Sequence, residues 1–278
     1  MTLFPERFTM LALTLLEALS MFENYHTHTA RCHHASGTDE EYVLCAIEGE
    51  LETLGFSDHT PFIFPDGYVS RIRMLPETVA EYASSILALK EKYADRIQIR
   101  LGLEVEYFPT LMDGLLNLIE PLGIEYMILA QHWCDTEVGN VHNFRPTDNP
   151  KQLERYCDQI IEGIQTGLFS YVAHPDIISY TADDGNYEYY MTRLCQAAKT
   201  ANIPVELNFQ GIRENRQYPN DRFWKIAGEV GVPVVLGCDA HAPADAADRK
   251  SEERALAIAE QFRLNLLDRI PIHSYRTI

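Results

Sequence analysis

Two histidines separated by a single residue, His26 and His28, are the first residues in the chain whose types and spacing suit metal chemistry. In an extended segment, residues i and i+2 point to the same side of the backbone, so the two imidazoles face the same way. That arrangement suits one shared divalent cation. The pair alone is weak evidence, because histidines also occur as ordinary packed residues.

Metal-compatible residues recur along the chain in the same local setting. Each follows a short apolar segment that is typical of a β-strand. These residues are His59, Glu104, His132, His174, and Asp239 with His241. Six metal-compatible positions, each at the end of a strand-like segment, are unlikely to arise by chance. The pattern therefore predicts a multinuclear metal centre and favours a hydrolase.

The segments that carry these residues alternate between strand-like and helical patterns. The strand-like segments are 24–28, 54–59, 97–107, 126–132, 170–174, 205–209 and 234–239. The helical segments are 40–51, 76–93, 111–118, 150–166, 187–201, 221–230 and 252–262. Seven successive β–α units predict an α/β protein with a parallel sheet and favour closure into a barrel. An open doubly wound sheet is the alternative, but the chain contains no glycine-rich nucleotide-binding loop.

A closed barrel would explain why the metal-compatible residues lie so far apart in sequence. Active sites of βα barrels form at the C-terminal ends of the strands, where residues from several strands meet. Every residue named above occupies such a strand end, so we expect all of them to converge at the mouth of the barrel, formed by the C-terminal ends of its strands.

Composition limits the classes of partner. The chain has 278 residues, 46% of them hydrophobic, and a formal net charge of −18. Such a charge argues against nucleic acid and against an anionic membrane surface. The negative charge does not exclude a small phosphorylated substrate, because bound cations can make the electrostatic potential at the site positive. The six scattered cysteines form no C-x-x-C pair, which indicates a reducing, cytoplasmic compartment. The oligomeric state is left open.

The first twenty residues differ from the rest of the chain. Residues 8–16 are apolar, but Glu17 interrupts the segment before it could span a bilayer. We interpret residues 1–20 as an extension of uncertain order, followed by a single domain over residues 21–278 with no linker inside it.

Short motifs around the metal-compatible residues resemble those of the polymerase-and-histidinol-phosphatase (PHP) family, and within it the monofunctional histidinol-phosphatases. The motifs run from about Phe22 to His241. They are His26-x-His28, Cys32-x-His34, Asp58-His59-x-Pro61, Gly102-Leu103-Glu104-Val105-Glu106-Tyr107, Gln131-His132-Trp133, Ala173-His174-Pro175 and Gly237-x-Asp239-Ala240-His241. The resemblance implies a distorted, TIM-like (β/α)7 barrel that holds up to three metals.

Carried over residue by residue, the resemblance implies three sites for divalent Mn, Zn or Fe. His26, His28, Glu104 and Asp239 would hold the first metal. Glu104 would bridge to a second metal bound by His132 and His174. His34, His59 and His241 would hold the third. A bridging carboxylate keeps two cations a few ångströms apart, as two-metal phosphoryl chemistry requires.

Some of these assignments have competitors in the sequence. His33 stands beside His34, and the spacing from Cys32 favours His34. Glu106 lies two residues beyond Glu104 and on the same face, and we expect it either to support the site from behind a ligand or to face solvent, without binding metal. His142 and His273 lack a strand context and are expected at the surface.

The substrate's phosphate also requires donors from the protein. Arg213 follows the sixth strand, where similar proteins place an arginine in the substrate pocket. A guanidinium can donate two parallel hydrogen bonds to a phosphate. Other residues that could reach the mouth are Arg71, Arg73, Arg145, Tyr68 and Trp133.

The resemblance implies hydrolysis of L-histidinol phosphate, a step of histidine biosynthesis, through attack by a metal-bridging hydroxide. Asp239 or His241 would protonate the leaving alkoxide while also binding metal. Two alternatives stay open: another phosphoesterase of this family, acting on a phosphodiester or a different small phosphomonoester, and a metal-binding module without turnover.

Overall fold

The computed structural model describes residues 21–182 and 184–276, in which strands and helices alternate. The strands are β1 Glu23–Asn24, β2 Thr53–His59, β3 Gln98–Val105, β4 Tyr126–Leu129, β5 Val205–Asn208, β6 Pro233–Gly237 and β7 Asn265–Leu266. The helices are α1 Asp39–Glu48, α2 Val79–Lys92, α3 Pro109–Ile119, α4 Pro150–Gln165, α5 Asp184–Ala201, α6 Phe209–Arg213, α7 Asp221–Val230 and α8 Arg249–Phe262. The expected N-terminal extension, residues 1–20, lies outside the described residues.

The strands pair in parallel, which confirms the prediction from the βα alternation. Strands β1 to β4 form one sheet in sequence order, and β5, β6 and β7 form another. Isolated parallel bridges connect the two sheets: Leu129 with Val172, Val172 with Val205, and Thr27 with Ala240. The protein is therefore an α/β fold built on a curled parallel sheet.

Three strand assignments differ clearly from the prediction. The segment predicted at 24–28 is a strand only at Glu23–Asn24, and Thr27 forms an isolated bridge. The segment predicted at 170–174 contributes only the bridge residue Val172, because the backbone leaves the extended conformation at His174, where φ is 27°. Strand β7 was not predicted. It has two residues, too few for an alternating pattern to appear, and it pairs with the start of β6.

Local signals in the sequence account for where the helices begin and end. Helix α1 starts with a capping box, in which Thr38 and Glu41 satisfy each other's backbone amides. Helix α7 starts after Asn220, whose side chain accepts from Arg222 N, and ends at Gly231, where φ is 69°. The predicted bounds of this helix are confirmed. Among the described residues, no helix combines the length and apolar content needed to cross a membrane.

Alternate residues of the strands pack into two separate cores. In β4, Met127 and Leu129 belong to the large core that includes residues of the surrounding helices, whereas Tyr126 and Ile128 belong to a smaller cluster. That cluster comprises Tyr25, Tyr126, Ile128, Ala130, Tyr171, Ala173 and Val235. Since successive strand residues face opposite sides, the smaller cluster fills the concave side of the curled sheet.

Tyr126 is one of three tyrosines in this inner cluster, and glycines on neighbouring strands make room for it. Its hydroxyl donates to the carbonyl oxygens of Tyr25 and Phe56. A Cβ added at Gly102 would lie 2.4 Å from the Tyr126 ring, and one at Gly55 would lie 2.4 Å from its hydroxyl. The two glycines therefore allow an aromatic ring to close the interior beneath the strand ends.

Candidate metal centre

The predicted metal ligands meet at the C-terminal ends of the strands, as the barrel argument requires. Seven of the nine line a cavity of about 400 Å³: His34, His59, Glu104, His132, His174, Asp239 and His241. The other two, His26 and His28, lie fully buried against the same cluster. The structure thus brings together all nine residues that the sequence singled out.

Glu104 is the central carboxylate of the cluster, and its side chain is buried. Its Oε1 lies 2.8 Å from Nε2 of His174 and 3.3 Å from Nε2 of His26, while Oε2 lies 2.7 Å from Nδ1 of His59. Nε2 of His132 is 3.8 Å from Oε1. Glu104 therefore faces imidazoles from four segments, an arrangement suited to a bridging ligand. Its neighbour Glu106 does not take this place.

Asp239 is the second carboxylate that faces the cluster. Its Oδ1 lies 3.1 Å from Nε2 of His28, 3.3 Å from Nδ1 of His241 and 3.6 Å from Nε2 of His26. On the outer side, Nε2 of His241 lies 3.0 Å from Nε2 of His34. Groups of three residues whose donor atoms could share one ion include His26–His28–Glu104, His26–His174–Asp239 and His28–His59–His241.

A carboxylate behind the ring orients each of three cluster histidines. The contacts are His26 Nδ1 with Glu206 Oε1 at 2.8 Å, His132 Nδ1 with Glu106 Oε1 at 2.7 Å, and His28 Nδ1 with Asp58 Oδ1 at 3.4 Å. Such a partner holds the proton on Nδ1 and leaves the Nε2 lone pair directed at the cluster. Sequence reasoning anticipated Glu106 in this role but missed Asp58 and Glu206. An acidic residue inside the apolar strand Val205–Asn208 was the available signal for Glu206.

Several buried nitrogen and oxygen atoms of the cluster lie close to one another but make no hydrogen bond of acceptable geometry among the described residues. They are Nε2 of His26, Nε2 of His28, Nδ1 of His59, Oε2 of Glu104 and Oδ1 of Asp239. Burying such atoms without partners is costly, and most buried polar groups are satisfied. Mixed imidazole and carboxylate ligation suits Zn, Mn or Fe. The residues present therefore fit divalent cations.

The electrostatics of the cluster keep the carboxylates charged. Burial alone would raise the pKa of Asp239, but the adjacent His26 and His28 hold it well below its usual value. Burial lowers the pKa of His59 to about 3, so this ring is neutral. Burial also opposes protonation of His28, but the adjacent carboxylates of Asp239 and Asp58 raise its pKa to about 9. A cation binds the neutral form of imidazole, so metal binding at His28 would displace a proton.

Two of the cluster residues have unusual backbone conformations. His174 and Asp239 both have positive φ, at 27° and 46°. This region is unfavourable for residues with a side chain, and such residues concentrate at functional sites. At His174, the turn lets a side chain two residues beyond Val172 reach Glu104.

The arginines near the cavity agree with the prediction only in part: Arg145 lines the cavity as expected, whereas Arg213 does not. Arg216 and Arg145 line the cavity, and Arg216 also donates to Tyr218 and pairs with Glu214. Arg213 is absent from the lining. Its guanidinium donates to the backbone oxygens of Cys238 and Asp239 and pairs with two aspartates, Asp245 and Asp248. Arg213 therefore contacts the chain around Asp239 from behind.

Arg73 and His142 also depart from their expected places. Arg73 does not line the cavity but is buried, where it pairs with Glu106 and Glu137. His142, expected at the surface, lines the cavity and packs edge-on against Trp133, with ring centroids 4.5 Å apart. Trp133 lines the cavity as expected, whereas Tyr68 lines a different one. The loop after β4 brings His142 to the site, and no local pattern predicts that path.

The fold and the site together define a hydrolase-type α/β protein with a histidine- and carboxylate-rich centre at the strand ends. The chain belongs to the PHP domain family, whose model matches residues 24–210, more than half of the chain. A probable histidinol-phosphatase of Deinococcus radiodurans is 29% identical over 236 residues, covering 79% of this chain and 86% of the relative. The histidinol-phosphatase of Bacillus subtilis is 24% identical, covering 79% and 93%.

A solved structure has the same fold. Histidinol phosphate phosphatase of Lactococcus lactis, solved with zinc, L-histidinol and phosphate, matches with a TM-score of 0.69 at 18% sequence identity. The match covers 91% of this chain and 97% of that one.

Proposed function

We propose that this protein hydrolyses L-histidinol phosphate to L-histidinol and inorganic phosphate with the aid of divalent cations. The observation that carries the proposal is the convergence of the nine predicted ligands in one cluster, seven of which line the same cavity. Curated relatives that match over most of their length are named histidinol-phosphatases, which supports the choice of substrate. The reaction would belong to histidine biosynthesis and proceed in the cytoplasm.

We further propose that residues 21–278 form one domain with the topology of a distorted (β/α)7 barrel. The fifth strand of such a barrel would be the short segment around Val172, whose bridges to Leu129 and Val205 connect the two sheets. The bridge between Thr27 and Ala240 supports closure on the other side.

The proposed metal ligands are the nine residues of the cluster, in three groups. His26, His28, Glu104 and Asp239 would hold one ion, His132 and His174 with Glu104 a second, and His34, His59 and His241 a third. When bound, the divalent cations supply positive charge beside the phosphate and lower the pKa of a coordinated water. Mn, Zn and Fe all suit these ligands.

Side chains on the open side of the cavity would bind and orient the substrate. Arg216 and Arg145 offer guanidinium donors to phosphate oxygens, which carry the developing charge in phosphoryl transfer. Trp133 and His142 present ring edges and faces to a flat imidazole. Arg213, the phosphate ligand expected from the sequence, would act less directly, through the chain around Asp239.

Asp239 and His241 line the cavity and remain the proposed groups that move a proton to the leaving alkoxide. Nδ1 of His241 lies 3.2 Å from Nε2 of Gln210 and 3.2 Å from the backbone oxygen of Asp239, which fixes the ring at the rim. A proton donor on the open side of the cavity can reach the leaving oxygen of a phosphate ester bound at the cluster.

Phosphate release from L-histidinol phosphate by protein reconstituted with manganese tests the proposal. A turnover near the ~10 s⁻¹ typical of enzymes would support both the reaction and the substrate. His132→Ala provides the control for the site and should lose metal and activity together. A rate near background from fully metallated protein would contradict the proposed substrate.

Another small phosphomonoester is the second candidate substrate. A relative from Thermoanaerobacter named only as a probable phosphatase is 26% identical and covers 79% of this chain. A screen of phosphomonoesters and phosphodiesters under the same conditions separates the two candidates, because metal ligands alone do not select the substrate.

A further inference from the structure

Glu206, on strand β5, is a fully buried carboxylate that contacts two proposed metal ligands directly. Its Oε1 accepts from Nδ1 of His26 at 2.8 Å. Its Oε2 accepts from the backbone amide of His174 at 3.1 Å and from Nδ2 of Asn208 at 2.9 Å. One side chain thus joins residues that follow two different strands.

Asn208 extends this contact to a third ligand. Its Nδ2 lies 3.0 Å from Oδ2 of Asp239 as well as 2.9 Å from Glu206. The oxygen of the same amide accepts from the backbone of Gly211 at 3.2 Å, which determines the orientation of the amide group. Glu206 therefore reaches His26, His174 and, through one amide, Asp239.

The backbone around Glu206 is shaped to accept its carboxylate. Gly237 on strand β6 pairs with Asn208 on strand β5. It lies so close to the carboxylate of Glu206 that a Cβ added at Gly237 would be 1.8 Å from Oε1. Among the ion pairs of the described residues, the one partner of Glu206 is His26. A carboxylate in such a place is costly to bury without a nearby positive charge. Cations bound next to His26 and His174 would provide that charge.

We propose that Glu206 is a positioning residue that prepares three metal ligands at once. It holds the Nδ1 proton of His26, fixes the turned backbone of His174 and orients Asp239 through Asn208. Loss of the carboxylate should weaken cation binding rather than substrate binding, because Glu206 does not line the cavity. The inference rests on the metal-binding part of the proposed function.

The test compares Mn²⁺ affinity of the wild-type protein, Glu206→Gln and a matched control, Glu252→Gln. Glu252 is also a buried carboxylate but contacts Met21 and Arg249, outside the cluster. We expect a 10- to 100-fold increase in the Mn²⁺ dissociation constant for Glu206→Gln, the usual effect of losing a partner behind a metal ligand. The control should bind Mn²⁺ as the wild type does. At saturating Mn²⁺, the KM of Glu206→Gln should stay near the wild-type value.

Folded Glu206→Gln protein with wild-type Mn²⁺ affinity would overturn the inference. If that variant does not fold, Glu206→Asp is measured instead, because it keeps the charge but withdraws the carboxylate from His26. An unchanged Mn²⁺ affinity of Glu206→Asp overturns the inference, and a weakened one supports it. A failure of the proposed substrate can be distinguished from a failure of this inference. Wild-type protein that binds Mn²⁺ without hydrolysing L-histidinol phosphate contradicts the substrate, while weaker Mn²⁺ binding by the variant still supports Glu206.

Discussion

The carboxylate of Glu106 accepts from Nδ1 of His132 at 2.7 Å, and both of its oxygens also accept from the buried guanidinium of Arg73. The sequence expectation that Glu106 supports the site without facing the cations agrees with this contact. Arg73 also pairs with Glu137 in the loop after β4, so one buried network links a cluster histidine to two loops near the mouth.

Glu106→Gln should destabilise the protein and weaken metal binding together. The substitution removes a charge that Arg73 requires, and breaking a buried ion pair from one side costs about 3–5 kcal/mol. Urea denaturation of the metal-free protein measures the loss. The matched control is Glu81→Gln, whose carboxylate is 66% exposed and pairs with Arg31, so its change should stay within about 1 kcal/mol. Equal stability of the two variants would contradict the prediction.

Arg216 and Arg213 should behave differently when each is replaced by methionine. Arg216→Met removes a guanidinium from the cavity lining, so KM for the phosphorylated substrate should rise roughly 10- to 100-fold with metal content unchanged. Arg213→Met removes support from the backbone of Asp239, so metal content should fall. Steady-state kinetics and metal analysis of both variants check this contrast. The reverse pattern would restore Arg213 as the phosphate ligand.

Removal of divalent cations should abolish activity and lower thermal stability. The buried, unpartnered atoms of His26, His28, Glu104 and Asp239 would lose the ions that satisfy them. A ligand present at 100 times its dissociation constant stabilises the folded state by about 2.7 kcal/mol. Calorimetry with and without a chelator measures the shift, and added Mn²⁺ should restore both melting temperature and turnover. An unchanged melting temperature in the fully stripped protein would count against the metal centre.

Two glycine substitutions should have opposite effects on stability. Gly102→Ala places a Cβ 2.4 Å from the Tyr126 ring in the inner cluster, and overpacking of this kind costs about 1–3 kcal/mol. Gly114→Ala lies on an exposed turn of helix α3 with nothing within 4 Å, and it should stabilise by about 0.5–1 kcal/mol. Chemical denaturation of both variants tests the packing. Similar effects at both sites would contradict the prediction, because they would mean that the Tyr126 ring moves aside at little cost in stability.

The sequence alone determined most of the order of strands and helices and indicated which residues to propose as metal ligands. Apolar segments that end in histidine or a carboxylate are a local pattern, and helix caps such as Asn220 and Gly231 are local as well. Parallel pairing then follows from the βα alternation, because parallel neighbours require a crossover connection.

Only the tertiary structure decided which partners these residues meet. Contacts such as Glu206 with His26 and Arg73 with Glu106 join strands and loops far apart in the chain, so no spacing predicts them. The same holds for Arg213, which a local motif placed at the substrate but which the fold directs to the backbone of Asp239. A side chain's direction depends on the path of its loop and on competing partners, and both arise only when the chain packs.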